Sequence, residues 1–149
     1  MIEFFVPGEP VAKGRPRFAR RTGHTYTPAS TVMAENLVRV YAHEAMMGGT
    51  PMEGPVAVTI IAKLSIPKSW SNKRRAMASA GMLWPTKKPD VDNLSKTFTD
   101  AMNGIVYSDD KQIIGMRVVK MYDEKPGTSV EVYLVDETAE TLIARGGLH

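Results

Sequence analysis

Between Asp90 and Asp110 the chain carries five carboxylates and a single cation, Lys96, whereas the 26 residues from Leu64 to Pro89 carry six cations and no acid. Random mixing of charge does not give such a boundary. Carboxylate oxygens bind hard divalent cations, and Lys and Arg bind phosphate oxygens. Acids framed by bases therefore suggest a divalent cation held against a polyanion. The acids fall in two groups, Asp90-Val91-Asp92 with Lys96 shortly after, and Asp109-Asp110 further on.

These side chains need elements to hold them. Pro89 keeps Lys88 extended, and Asp90 or Asp92 then caps a helix running to about Met102, stopped by Asn103-Gly104. At 3.6 residues per turn, Leu94, Phe98, Ala101, Met102 and Ile105 gather on one side, and Asp92, Lys96, Asp100 and Asn103 on the other. Acids at a helix start are also favoured by the macrodipole. An Asp92–Lys96 pair is also an ordinary i,i+4 contact worth about 0.2–0.5 kcal/mol. Neither reading accounts for Asp90 and Asp92 together with a second acidic pair. An EF-hand loop is excluded, because Ser95 stands where its glycine belongs and Ala101 where its closing glutamate belongs. If the loop carrying Asp109-Asp110 folds back on the helix start, Asp90, Asp92 and Asp110 can meet. An oxygen-only set of that kind selects Mg²⁺ or Mn²⁺. His24, His43 and His149 are scattered, which disfavours zinc.

Around this centre the sequence predicts a strand at Ile2–Val6 and a basic loop or short hairpin at Val11–Arg21 turning at Thr22-Gly23. A helix is expected over Thr31–Met47, with Ser30 as cap, Met33, Leu37, Val40, Tyr41 and Ala45 recurring near helical spacing, and Met46 and Met47 packing. Pro55–Ile66 is apolar on both faces and reads as a buried central strand. Ser69–Gly81 reads as a short helix capped by Ser69 or Ser71, flanked by Trp70 and Trp84. Those indoles either pack on the core or stack on bases. Ile113–Tyr122 and Ser129–Val135 read as an antiparallel pair, and Asp136 as the cap of a short last helix. The class is α+β, with a small mixed or antiparallel sheet of about four strands packed with helices, in one domain spanning 1–149.

Composition narrows the field. The chain is 43% hydrophobic and 23% charged, with net charge +3 and pI near 9.2. Those values permit nucleic-acid binding without establishing it. It has no cysteine, which excludes disulfides and thiolate zinc sites and suits the cytoplasm. No apolar run approaches the roughly 20 residues needed to span a bilayer.

Lys88-Pro89-Asp90-Val91-Asp92-Asn93-Leu94-Ser95-Lys96, then Asp100-Ala101-Met102-Asn103-Gly104, then Asp109-Asp110-Lys111-Gln112-Ile113, resembles the RusA family of Holliday junction resolvases, often encoded by phages and prophages. Gly8-Glu9-Pro10, Lys13-Gly14-Arg15-Pro16-Arg17-Phe18 and Tyr26-Thr27-Pro28 fit the same family. The resemblance implies an α+β homodimer that nicks two strands of a four-way DNA junction symmetrically, using Mg²⁺, in recombination and repair. It implies metal-binding aspartates at Asp90, Asp92 and Asp110, with Asp109 adjacent, and a catalytic lysine at Lys96. One departure is the segment Pro67–Lys88, longer than the short basic connection of the bacterial type member.

The residues suit that chemistry. A divalent ion acidifies bound water and polarises a phosphoryl oxygen, and Lys96 can stabilise developing charge or orient the water. Lys13, Arg15, Arg17, Arg20 and Arg21, with Lys73, Arg74, Arg75, Lys87 and Lys88, are the candidate DNA contacts. The rival readings are a branched-DNA-binding protein with structural acids, a less selective structure-specific nuclease, and a Mg²⁺ enzyme acting on small phosphate esters. A P-loop NTPase is disfavoured, since the chain has no G-x-x-x-x-G-K-[ST] segment.

Overall fold

The computed structural model describes residues 1–11, 17–26, 29–144 and 146. Lys13 and Arg15, the approach to the first helix at 27–28, and Arg145, Gly147 and His149 lie outside the described residues. In chain order the elements are β1 (Ile2–Pro7), β2 (Arg17–Ala19), β3 (His24–Tyr26), α1 (Ala29–Met46), β4 (Val56–Ser65), α2 (Asn72–Ser79), α3 (Val91–Met102), a 3-10 turn (Asp110–Gln112), β5 (Ile113–Asp123), β6 (Gly127–Leu134) and α4 (Ala139–Ala144).

The class is α+β, built on a four-stranded mixed sheet in the order β1-β6-β4-β5. β4 takes an inner place because Val56 to Ile60 are all buried, so β-branched side chains fill both of its faces. It pairs in parallel with β5 and antiparallel with β6, and β6 pairs antiparallel with β1. Val58, for example, lies between Val132 and Met116, and Ile60 between Val130 and Val118. Val56, Val58, Ile60, Ala62 and Leu64 form one core with Val130 and Val132, with Val38 and Ala42 of α1, and with Leu94, Phe98, Ala101 and Met102 of α3. The basic segment near the N-terminus does form a hairpin, β2 with β3, in which Ala19 pairs with His24 around Thr22-Gly23.

Several expectations are corrected. β5 and β6 are not an antiparallel pair, because β4 lies between them. Glu124-Lys125-Pro126 therefore steps across a strand. The turn residues are visible in the sequence, but strand adjacency is set by the inner strand β4, which takes a partner on each side. α1 begins at Ala29, so Ser30 lies inside the helix and does not cap it. Its inward stripe is Ala34, Val38, Tyr41, Ala42 and Ala45, whereas Met33, Leu37 and Val40 are exposed. Two apolar stripes share this helix, and the one with small residues packs because alanines allow closer approach. Met46 packs on the core, but Met47 is 90% exposed. Thr138 caps α4 in place of Asp136, its hydroxyl accepting from the Thr141 amide at 3.2 Å.

Candidate functional site

α3 carries most of the candidate chemistry. Leu94, Thr97, Phe98, Thr99, Ala101 and Met102 are buried, so the helix is locked to the sheet along one face and presents the other to solvent. Asp90 is its N-cap residue in extended conformation, yet its side chain makes no cap hydrogen bond. An N-cap aspartate ordinarily accepts from an amide of the first turn. Asp92 is exposed in that first turn. Among the described residues neither carboxylate takes a hydrogen bond or an ion pair.

Lys96 stands one turn from Asp92 and one turn from Asp100, and it pairs with Asp100. Its Nζ donates to Asp100 Oδ1 at 3.0 Å. Asp100 was placed on the polar face by periodicity, but nothing in the sequence assigned it this partner. The signal was Lys96 having an acid at both i−4 and i+4.

Tyr107 links the second acidic group to α3. It is fully buried, and its hydroxyl donates to the Thr99 carbonyl at 2.7 Å. Thr99 belongs to the last turn of α3, where carbonyls lack helical partners. Burial, then the charges of Asp110 and Asp100, push the phenol well above its ordinary pKa. Asp110 and Asp100 are thus both felt at the Tyr107 side of α3. The loop is anchored at Thr99, in the second half of the helix. Tyr107 was not singled out from the sequence, because a tyrosine between apolar residues reads only as core.

Asp109 is occupied. It caps the 3-10 turn, accepting from the Lys111 amide at 2.9 Å, while the Gln112 side chain accepts from the Asp109 amide at 2.8 Å. That Lys111 amide bond is the main reason its carboxyl is held below the ordinary range. Gln112 also donates to the Met52 and Gly54 carbonyls, each at 2.9 Å, tying the turn to the approach of β4. The Ser108 hydroxyl donates to the Glu53 carboxylate. At the start of β5 the parallel register shifts, Val56 facing Ile113 and Ala57 facing Gly115, so Ile114 is bulged out just past Asp110.

The donor chemistry suits a hard divalent ion. Asp90 and Asp92 offer unengaged carboxylates, Asp109 does not, and half-buried Asp110 lies next to it. Among the described residues no three His, Cys, Asp or Glu side chains stand close enough to enclose an ion.

The cations lie on α2, on the approach to Asp90 and on the hairpin. Lys73 and Arg74 are exposed on α2, which Ser71 caps by accepting from the Arg74 amide at 3.2 Å. The Arg74 guanidinium lies 3.9 Å from the Trp70 ring centre, and Arg75 donates to the Lys68 carbonyl at 3.4 Å. Trp70 is half-buried and meets Tyr122 edge-on at 5.3 Å, so it packs; Trp84 is 64% exposed. Lys87 and Lys88 are exposed just before Asp90, and Lys120 donates to the Lys87 carbonyl at 2.6 Å. Arg20 and Arg21 sit at the hairpin turn and are exposed, and Arg17 opens β2. No described helix is long and apolar enough to cross a membrane.

A family model described as Endodeoxyribonuclease RusA matches residues 7–133. The uncharacterized protein YqaN of Bacillus subtilis (strain 168) is 40% identical over 135 residues, 88% of this chain and 94% of its own. A crossover junction endodeoxyribonuclease rusA of Lactococcus phage r1t is 42% identical over 50 residues, 33% of this chain and 38% of its own.

Proposed function

We propose that this chain, which belongs to the RusA family of endodeoxyribonucleases, resolves four-way DNA junctions by paired, Mg²⁺-dependent nicks in recombination and repair. Membership makes it a hydrolytic nuclease, and divalent-metal dependence is general in the family. Junctions as the substrate, Mg²⁺ as the ion, Mn²⁺ as a substitute, the residue roles and the dimer are our reading, as is one RusA-like domain over 1–149.

The observation that carries it is the pair of unengaged carboxylates, Asp90 and Asp92, at the start of a helix that also presents Lys96. Asp90, Asp92 and Asp110 would each supply a carboxylate to the ion, with waters and substrate phosphate oxygens completing its shell. When bound, it supplies a water of lowered pKa and a polarised phosphoryl oxygen. Lys96 stabilises the charge that develops on the phosphoryl oxygens or orients the attacking water. Asp109 holds the turn that carries Asp110. Lys73, Arg74, Arg75, Lys87 and Lys88, with the hairpin's Arg17, Arg20 and Arg21, and Lys13 and Arg15, neutralise backbone phosphates. A two-fold dimer matches the approximate two-fold symmetry of a junction. The exposed stripe Val32, Met33, Leu37 and Val40 on α1 supports a second copy as its cover.

The test is incubation of the protein with a synthetic four-way junction, a flap and a linear duplex, each with and without Mg²⁺. Symmetric nicks on the junction, dependent on Mg²⁺, are expected. Binding without cutting would favour a junction-binding protein, and equal cutting of flap and junction a less selective nuclease.

A further inference from the structure

Lys96 has an acid one helical turn away on either side. Its choice between them is the least expected feature of α3. In an isolated helix the better i,i+4 pair places the acid N-terminal to the lysine, which here is Asp92. The pair observed is the reverse one, Lys96 with Asp100. Asp100 also lies close to the C-terminal end of α3, where an acid is disfavoured by the helix dipole. Helix stability therefore accounts neither for the position of Asp100 nor for the pairing. The two partners differ in how firmly they are held. The Asp100 side chain is 22% exposed, against 60% for Lys96, so the acid is the fixed end of the pair and the lysine the movable one.

We propose that Asp100 is a positioning residue that draws the Lys96 ammonium toward the C-terminal half of α3 and keeps it off Asp92. This rests on the reading of Asp92 as a metal ligand. An ammonium at Asp92 would compete with a divalent cation for the same oxygens. Held by Asp100, the lysine is kept apart from Asp92 along one helix face.

Mn²⁺ binding to the full-length protein without DNA, read by titration calorimetry, tests this apart from cleavage. Asp100→Asn should weaken Mn²⁺ binding by roughly tenfold, the size typical for loss of a group that orients a metal site. Asp100→Glu should retain binding near the parent's. Lys96→Ala combined with Asp100→Asn should restore it, because the competing ammonium is gone. A merely structural role for Asp100 would not be rescued by removing Lys96. Parent-like binding by Asp100→Asn, or weakened binding that Lys96→Ala fails to restore, would overturn the proposal while leaving the metal site standing. Mn²⁺ binding unaffected by Asp92→Asn would overturn both.

Discussion

Asp90 and Asp109 both stand at the N-cap of a helical turn, and only Asp109 caps. The spacing of the acids was legible in the sequence; this division of labour was not. An aspartate at a helix start can serve the amides or face outward, and contacts from residues distant in sequence help to decide which. For Asp109 the decisive neighbour is Gln112, fixed by the Met52 and Gly54 carbonyls. The same holds for Lys96, whose two acids at equal spacing cannot be ranked from periodicity. Tyr107 gives a prediction at this scale. Its phenol pKa is raised in the fold, so the folded state retains a proton that the unfolded state loses near pH 10. This contribution to stability is fully present below about pH 10 and is lost as pH rises above it. Tyr107→Phe should show a shallower alkaline loss of stability in denaturant titrations at pH 9 to 11. At neutral pH it should be less stable than the parent by about 1–2 kcal/mol, because the Thr99 carbonyl loses its donor. An unchanged alkaline slope would show that Tyr107 does not carry this effect.

At the scale of elements, the strands and helices were largely readable and their adjacency was not. β4 announced itself by β-branched residues on both faces, and α3 by its apolar side. The separation of β5 from β6 by β4 was hidden, because a turn sequence reports a reversal and not which strand lies beside it. The packed face of α1 was hidden for a related reason: two apolar stripes compete, and only contact with β1 and α3 decides. Gly127 is where this arrangement is least tolerant. It starts β6 opposite Pro7, and a Cβ there would lie 2.0 Å from the Phe5 ring. Phe5 must shift to admit a methyl group. Gly127→Ala should therefore cost about 1–3 kcal/mol, as overpacking does, seen as a lower thermal midpoint. A midpoint equal to the parent's would mean that the ring moves freely.

For the whole molecule, the charge boundary that marked the sequence falls on different elements. Acids lie on α3 and at the start of β5; cations lie on α2, on the approach to Asp90 and on the hairpin. Phosphate contacts release counterions, so Lys73→Ala with Arg74→Ala should flatten the log–log salt dependence of junction binding by about 2. Cutting of bound junction should be little changed. An unaltered slope would remove α2 from the DNA surface. Leu37→Glu places a charge in the exposed stripe of α1 and should shift sedimentation toward the monomer. A parent-like profile would put the dimer contact elsewhere. The central claim, that Asp90 serves a metal on a junction-cutting enzyme, is tested most directly with Asp90→Asn. Asparagine is as good an N-cap and has the same shape, so α3 is preserved and one charge is lost. The measurement is single-turnover nicking of a four-way junction in Mg²⁺, with binding scored on the same samples. Junction binding like the parent's with nicking reduced at least about a hundredfold, roughly 2.7 kcal/mol in barrier, is the predicted result. Nicking at the parent's rate would contradict it.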